Sequence, residues 1–391
     1  MGVKISNSGM TRYSACGKSY EFHYIQKYRS LVKSSALCFG SAIDAGCNYM
    51  LENFDKRSEP SSLAEAIEIF KSTWTSQSDR DSQTKMTLRY SANIKYFKSD
   101  YDLDVLTDED LIELGLDSPE AIIEYNNGRK IIDDELKANG NDWLAIPIED
   151  RLDYNEVNWF CLLRKGIYML IAYHNEILPQ FKSILTLQRY IELADEEGNL
   201  VNGIAEFVAE LASDGSICLV DNKSAGRPYE EDSVETSQQL ALYYTILNIQ
   251  ATSNGEWKTP IKNAAFAVLL KKMTKDKIKT CQTCGHVATG SHKLCDAKNA
   301  SGQRCNGEWA VVTTTSGATQ FVIGDINEAF GASVLENAST IVACIEKKIF
   351  PKNFSKCYDS YGGNCEFLAL CTKKDESSVF KLKDVINETK V

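Results

Sequence analysis

The stretch 183–270 constrains this chain most. Three runs with strand character, 183–193, 200–211 and 216–221, follow one another with little between them. Turn formers separate them: Asp195-Glu196-Glu197-Gly198-Asn199, then Ser213-Asp214-Gly215. A helical segment at about 233–248 and an apolar strand at 263–270 complete the unit. Three antiparallel strands, a helix and a further strand imply a mixed α/β fold.

The flanks are different in kind. Residues 1–54 open polar and aromatic and end in a helix at 38–52. Helical patterns recur at 63–73, 108–114, 119–126 and 159–177, divided by polar stretches such as 76–85. A cysteine-rich segment lies at 281–305, a strand is expected at 309–315, and a long helix at 326–350. The expected organisation is an N-terminal segment (1–54), a helical insertion (55–180), a core (181–272), a cysteine-rich insert (273–312) and a C-terminal helix with a cysteine-bearing tail (313–391). A chain of 391 residues suits one elaborated domain or two. It contains no run of 18 apolar residues, so no membrane span is expected. The start, Met1-Gly2-Val3-Lys4-Ile5-Ser6, has no apolar core, and a cytoplasmic protein without a signal peptide is expected.

Charged residues gather at the strand ends of the core. Glu206 lies on the second strand, and Asp221-Asn222-Lys223 ends the third. Asp221 and Lys223 are two apart, so on a strand they share a face. The turn at 213–215 folds the third strand back toward Glu206. Paired carboxylates open to solvent suit Mg2+, and a lysine beside them can orient water or offset charge on a phosphate. Gln239 and Tyr243 are spaced i, i+4 on the next helix, and Asp44 adds a carboxylate on an early one. A surface ion pair is the plainer reading of Asp221 and Lys223 taken alone.

Taken in order, these elements resemble the PD-(D/E)XK nucleases. Asp221-Asn222-Lys223 is similar to the (D/E)-x-K element, and Gly203-Ile204-Ala205-Glu206 to the G-x-x-D element. Gln239 to Tyr243 matches the Q-x-x-x-Y element of the RecB-type branch, and Gly40 to Asp44 resembles its G-x-x-x-H element. Ile5-Ser6-Asn7-Ser8, followed by Tyr13 and Cys16, resembles its S-x-S start. Glu206 stands where the family has Asp, and Asp44 where the branch has His. Residues 55–180 carry none of the likeness.

The resemblance implies a restriction-endonuclease-like core, a mixed sheet flanked by helices. It implies that Asp44, Glu206 and Asp221, with the Asn222 carbonyl, hold Mg2+ or Mn2+. Lys223 would position the attacking water, and Gln239 and Tyr243 would support the site and the DNA. The implied activity is phosphodiester hydrolysis by a DNA exonuclease in recombination, repair or end processing. A recombination or replication partner and a phage or mobile-element setting belong to the same implication. No G-x-x-x-x-G-K-[ST] element accompanies it, so no helicase motor is expected. A net charge of −11 does not advertise nucleic-acid binding, although a basic groove is compatible with it. The rival expectation is a non-catalytic DNA-binding or scaffold protein, kept open by the two departures. A sequence-specific endonuclease is a third.

Thirteen cysteines are many for a reducing compartment, which turns attention to metals. Cys38, Cys47, Cys161, Cys218 and Cys344 have apolar surroundings and read as core. Cys281-x2-Cys284, Cys295 and Cys305 suit a closed zinc site in a ribbon-like insert, with His286 and His292 as alternative ligands. Lys271, Lys272, Lys275, Lys277 and Lys279 precede it, either as a phosphate contact or as a solvated charge run. Cys357, Cys365 and Cys371 lie in the tail. Some RecB-type nucleases bind a four-iron four-sulfur cluster through one N-terminal and three C-terminal cysteines. The resemblance therefore implies Cys16, Cys357, Cys365 and Cys371 as ligands of such a cluster, with zinc or free thiols as alternatives. His23 and His174 read as structural. The aromatics of 13–28 read as packing, or as a stacking surface for single-stranded bases.

Overall fold

The computed structural model describes residues 2–77, 87–89, 106–139, 145–194, 198–254, 260–288, 294–295, 297–298, 302–357 and 365–382. His292, residues 195–197 of the first turn and the glycines at 362–363 lie outside the described residues.

The chain starts with a short strand β1 (Lys4–Ser6), then helices α1 (Asn7–Ala15) and α2 (Gly17–Tyr20) and strands β2 (Tyr28–Ser30) and β3 (Val32–Ser34). Helices α3 (Ser35–Glu52) and α4 (Pro60–Gln77) follow, then β4 (Thr87–Arg89), α5 (Asp108–Glu113), α6 (Pro119–Ala138) and α7 (Ile148–Ala172). A capping box at Thr107 starts α5, and Asp110 in it takes a bidentate pair from Arg164 of α7 at 2.7 and 2.8 Å.

The central sheet comes next: β5 (Phe181–Ala194), β6 (Leu200–Leu211) and β7 (Ile217–Ala225), then α8 (Gln238–Asn254), β8 (Asn263–Cys281), β9 (Val287–Ala288) and β10 (Trp309–Gly324). Helices α9 (Glu328–Glu346) and α10 (Leu368–Lys373) and strand β11 (Val379–Lys381) finish the chain. Strands β5, β6 and β7 are antiparallel neighbours, and α8 carries the chain over to β8, which runs parallel to β7. The result is an α/β fold, a mixed sheet with helices on both faces.

The apolar run at 263–270 shows how the layers form. Ala265, Ala267 and Leu269 face α3, α4 and α7, packing with Phe39, Phe70, Trp74 and Leu170. Ala264, Phe266, Val268 and Leu270 face α1, α8 and α9, packing with Met10, Leu240, Ile246 and Val334. A strand covered on both faces reads as continuous rather than alternating hydrophobicity. Burial of each large aliphatic or aromatic side chain contributes about 1.5–3 kcal/mol.

Several boundaries differ from the sequence expectation. Strand β8 does not stop near 270 but runs on to Cys281 against β10, which itself extends to Gly324 past a bulge between Ser316 and Ala318. The outer half of β8 was assigned to the cysteine-rich insert (273–312) because its apolar run ends near 270. Backbone pairing and the β-branched run Val311-Val312-Thr313-Thr314-Thr315 sustain it as strand. The long C-terminal helix ends at Glu346, and Lys348 turns left-handed (φ 56°) as the chain leaves it. Helix α8 begins at Gln238, after a 3-10 turn at Glu231–Ser233. Strand β1 was not anticipated. The aromatics Tyr13, Tyr20, Phe22 and Tyr28 are buried, so they pack and are not a base-stacking surface.

Among the described residues, no helix is long and apolar enough to cross a membrane.

Candidate functional site

The sheet opens a fork at the acidic residues. Strands β6 and β7 pair only through Phe207–Glu210 and Ile217–Val220. Glu206 is the residue just before the paired stretch of β6, and Asp221 the residue just after that of β7. Farther along the same edge of β6, β1 pairs with Leu200–Asn202. Residues 203–206 of that edge are thus left between β1 and β7, with Glu206 and Asp221 at the two rims of the splay.

The side chains around the fork are tied together. Asn222 donates its backbone N–H to Glu206 Oε2 at 2.6 Å and its amide Nδ2 to Oε1 at 2.7 Å. Lys223 forms an ion pair with Asp221. From α8, Gln239 donates Nε2 to Asp221 Oδ1 at 2.9 Å and accepts from Lys223 Nζ at 3.1 Å. One turn along, Tyr243 lies flush against Gly203, where a Cβ would fall 2.4 Å from its Cε1. Hence β6 carries glycine at this position. Asp44 reaches the cluster from α3, close enough to feel the charges of Lys223 and Asp221. The six residues Asp44, Glu206, Asp221, Lys223, Gln239 and Tyr243, far apart in sequence, therefore lie together at the fork.

Charge here is poorly solvated. Burial raises the Asp44 carboxyl to about 6, opposed by Lys223 and reinforced by Asp221. Glu206 is pushed well above the usual carboxylate range by burial, then by Asp221 and Asp44. Burial also raises Asp221, against the pull of Lys223. Lys223 is pushed down by burial, but Asp221 and then Glu206 more than restore it, and it stays a cation. Three carboxylates thus share one ammonium, an arrangement that a hard divalent cation relieves. The donor chemistry fits such an ion. Their oxygens do not close to within 4.8 Å of one another. Glu206 is turned onto Asn222, and Asp221 onto Lys223 and Gln239.

Cys281, Cys284, Cys295 and Cys305 do close to that spacing and are placed to hold a metal ion such as zinc. Two Sγ···Sγ pairs, 281 to 305 and 284 to 295, are 3.6 Å apart. A regular tetrahedron with Zn–S bonds of about 2.3 Å has edges of about 3.8 Å. The first pair sits in the turn between β8 and β9, where the N–H groups of Thr283 and Cys284 point at Cys281 Sγ and Gly285 turns left-handed (φ 71°). Cys295 and Cys305 are widely spaced in sequence, but a hydrogen bond from Cys305 N–H to the Ala297 carbonyl folds them together. The four-cysteine tip thus crowns the β8–β10 hairpin.

Cys16, Cys357, Cys365 and Cys371 surround one pocket, together with Phe22, Phe354 and Phe367. Strand β11 pairs with β2 beside it, so the C-terminal tail meets the N-terminal segment there. These four thiols do not close to within 4.8 Å of one another.

Cys38, Cys47, Cys161 and Cys218 are buried, while Cys344 is half-buried. His174 is bonded to the Arg57 carbonyl and His23 packs against Tyr24 and Phe367. The sequence reading missed two contributors. The Asn222 side chain clamps Glu206, and Tyr229 packs edge-on to Phe266 within reach of the charges of Lys223 and Asp221. Neither has a spacing signal, because both depend on the splay of β7. Compared with protein-family models and with curated proteins, the chain finds no match.

Proposed function

We propose that this protein is a metal-dependent DNA nuclease of the PD-(D/E)XK type, RecB-like, and an exonuclease acting in recombination, repair or DNA end processing. The observation that carries the reading is the fork: Glu206 and Asp221 opposed where β6 and β7 part, with Lys223 tied to Asp221 through Gln239. A surface ion pair needs none of this burial or bridging.

Asp44, Glu206 and Asp221, with the Asn222 carbonyl, would hold Mg2+ or Mn2+, which supplies positive charge at the scissile phosphate. Lys223 stays protonated, so it acts as a donor rather than a base. It orients the attacking water and offsets charge on the phosphate as the bond to the leaving sugar oxygen breaks. Gln239 fixes the Lys223 ammonium and the Asp221 carboxylate at once. Tyr243 braces the fork by filling the space beside Gly203.

Zinc at Cys281, Cys284, Cys295 and Cys305 stabilises the hairpin tip. Cys16, Cys357, Cys365 and Cys371 around one pocket would hold an iron–sulfur cluster, which would staple the N-terminal segment to the C-terminal tail.

The test is degradation of linear and circular DNA, single- and double-stranded, with Mg2+, Mn2+ or EDTA. Metal-dependent loss of linear DNA alone supports an exonuclease. Discrete fragments from circles make it an endonuclease. No cleavage by metal-replete protein overturns the reading.

A further inference from the structure

Strand β7 sorts its side chains to two faces of the sheet. Cys218 and Val220 pack into the core beneath α3 and α7, and Leu219 into the core beneath α8. By strand alternation Asn222 continues the first face, and Asp221 and Lys223 the second. Asp221 and Lys223 accordingly meet Gln239 of α8. Asn222 is buried on the opposite side, which is the side of Tyr173.

Tyr173 opens the π-helical turn Tyr173–Ile177 that follows α7. Such wide turns are rare and collect at functional sites. His174 pins this one, with its Nε2 2.8 Å from the Arg57 carbonyl. The Tyr173 side chain is fully buried in the same core as Ile43, Phe207 and Val220, which directly flank Asp44, Glu206 and Asp221. Its hydroxyl makes no hydrogen bond, although the Asn222 side chain is close enough to act on it. Asn222 Oδ1 is buried and unbonded as well. Burial, then Cys47 and Glu206, hold the phenol well above its usual pKa, so it stays a neutral donor and acceptor.

Two unmet polar atoms buried side by side are destabilising and need a reason. The clamp on Glu206 provides one. Asn222 Nδ2 donates to Glu206 Oε1 at 2.7 Å, and in that arrangement Asn222 Oδ1 and the Tyr173 hydroxyl go without partners. The same arrangement keeps the Glu206 oxygens from closing on those of Asp44 and Asp221. Glu206 has to leave Asn222 Nδ2 to join them around one cation, and its departure would strand a buried amide.

We infer that Tyr173 is a positioning residue, whose hydroxyl takes over the Asn222 side-chain amide when Glu206 swings from that amide to join Asp44 and Asp221 on a divalent cation. A phenol suits this role because it can accept from Nδ2 or donate to Oδ1. The role rests on reading the fork as a metal site and deepens that reading: a residue outside the ligand set governs how readily Glu206 is released.

The test measures Mn2+ binding by calorimetry, without DNA, on the whole zinc-replete chain. Wild type is compared with Tyr173→Phe, Asn222→Ala and the double variant, and Asp221→Asn reports whether binding is at the fork. Thermal unfolding in EDTA runs beside it. Tyr173→Phe should bind Mn2+ about tenfold more weakly, yet unfold in EDTA no earlier than wild type, because the deleted hydroxyl has no partner to lose. In the Asn222→Ala background, Tyr173→Phe should have no further effect on Mn2+ binding. Equal Mn2+ affinity in wild type and Tyr173→Phe, or the same loss with and without the Asn222 side chain, would overturn the role. A lower EDTA midpoint in Tyr173→Phe with unchanged Mn2+ affinity would reduce Tyr173 to packing. Wild type that binds no Mn2+, or binds it equally well after Asp221→Asn, would remove the metal site itself. Tyr173-dependent Mn2+ binding in a protein that cuts no DNA would leave the role standing and remove the nuclease.

Discussion

Asn222 holds Glu206 by both carboxylate oxygens, one through its backbone N–H and one through its side-chain amide, at 2.6 and 2.7 Å. Two donors from one residue keep a carboxylate at the fork although burial and two neighbouring acids disfavour its charge. The clamp exists because β7 leaves β6 at Val220, which frees the Asn222 amide from strand pairing with β6. The extra methylene of Glu over Asp gives the side chain the reach to meet both donors. The same splay aims Asp221 and Lys223 at Gln239, on the other side of β7.

Gly203→Ala should damage the fork without touching a charge. Its Cβ would lie 2.4 and 2.7 Å from two ring atoms of Tyr243 and 2.8 Å from its hydroxyl oxygen, in a side chain that is itself buried. Overpacking of this kind costs about 1–3 kcal/mol. The expected outcome is a thermal midpoint several degrees lower and a marked fall in DNA cleavage. A variant with wild-type midpoint and rate would mean the ring yields freely and does not brace the site.

Cys284→Ser should separate the hairpin tip from the core. The tip depends on four thiolates, whereas the sheet and its helices are held by two apolar cores that do not include it. Zinc content should drop and proteolysis between 282 and 308 should accelerate, while the main unfolding transition changes little. Unchanged zinc content in the purified variant would rule these four residues out as the zinc site.

Acid should weaken the N-terminal segment through His23. Burial, then Arg12, Arg29 and Lys27, lower its pKa from 6.5 to about 4. In the unfolded chain it protonates near 6.5, and in the folded chain only near 4. Its contribution is therefore fully present above pH 6.5 and is lost as pH falls from 6.5 toward 4. Denaturant midpoints measured across that window should fall less steeply for His23→Gln than for wild type. Parallel slopes would show that His23 does not carry this dependence. The comparison is by difference because Asp44, raised to about 6, acts in the opposite direction.

Short-range periodicity is what made the site legible. Asp221 and Lys223 share a strand face two residues apart, and Gln239 and Tyr243 share a helix face one turn apart. Strand β6 was readable to its ends because its turns are local. Strand β1 was not: three residues gain strand structure only by pairing with Leu200–Asn202, nearly the length of half the chain away. The outer half of β8 was hidden because its lysines carry no apolar pattern and its partner is the other strand; in β10 the expectation of a strand at 309–315 met the outer half and stopped short of the inner half, which pairs with Ala264–Leu270.

The most direct test of the central claim is the rate of nucleotide release from linear DNA with saturating Mn2+, wild type beside Lys223→Ala. The account predicts metal-dependent release by wild type and a loss of at least a hundredfold in the variant, the scale of removing one positioned electrostatic group. The fold should survive, because Lys223 is half-buried and Gln239 still bonds Asp221. Equal rates in the two proteins, with the metal dependence intact, would place the chemistry somewhere other than the fork.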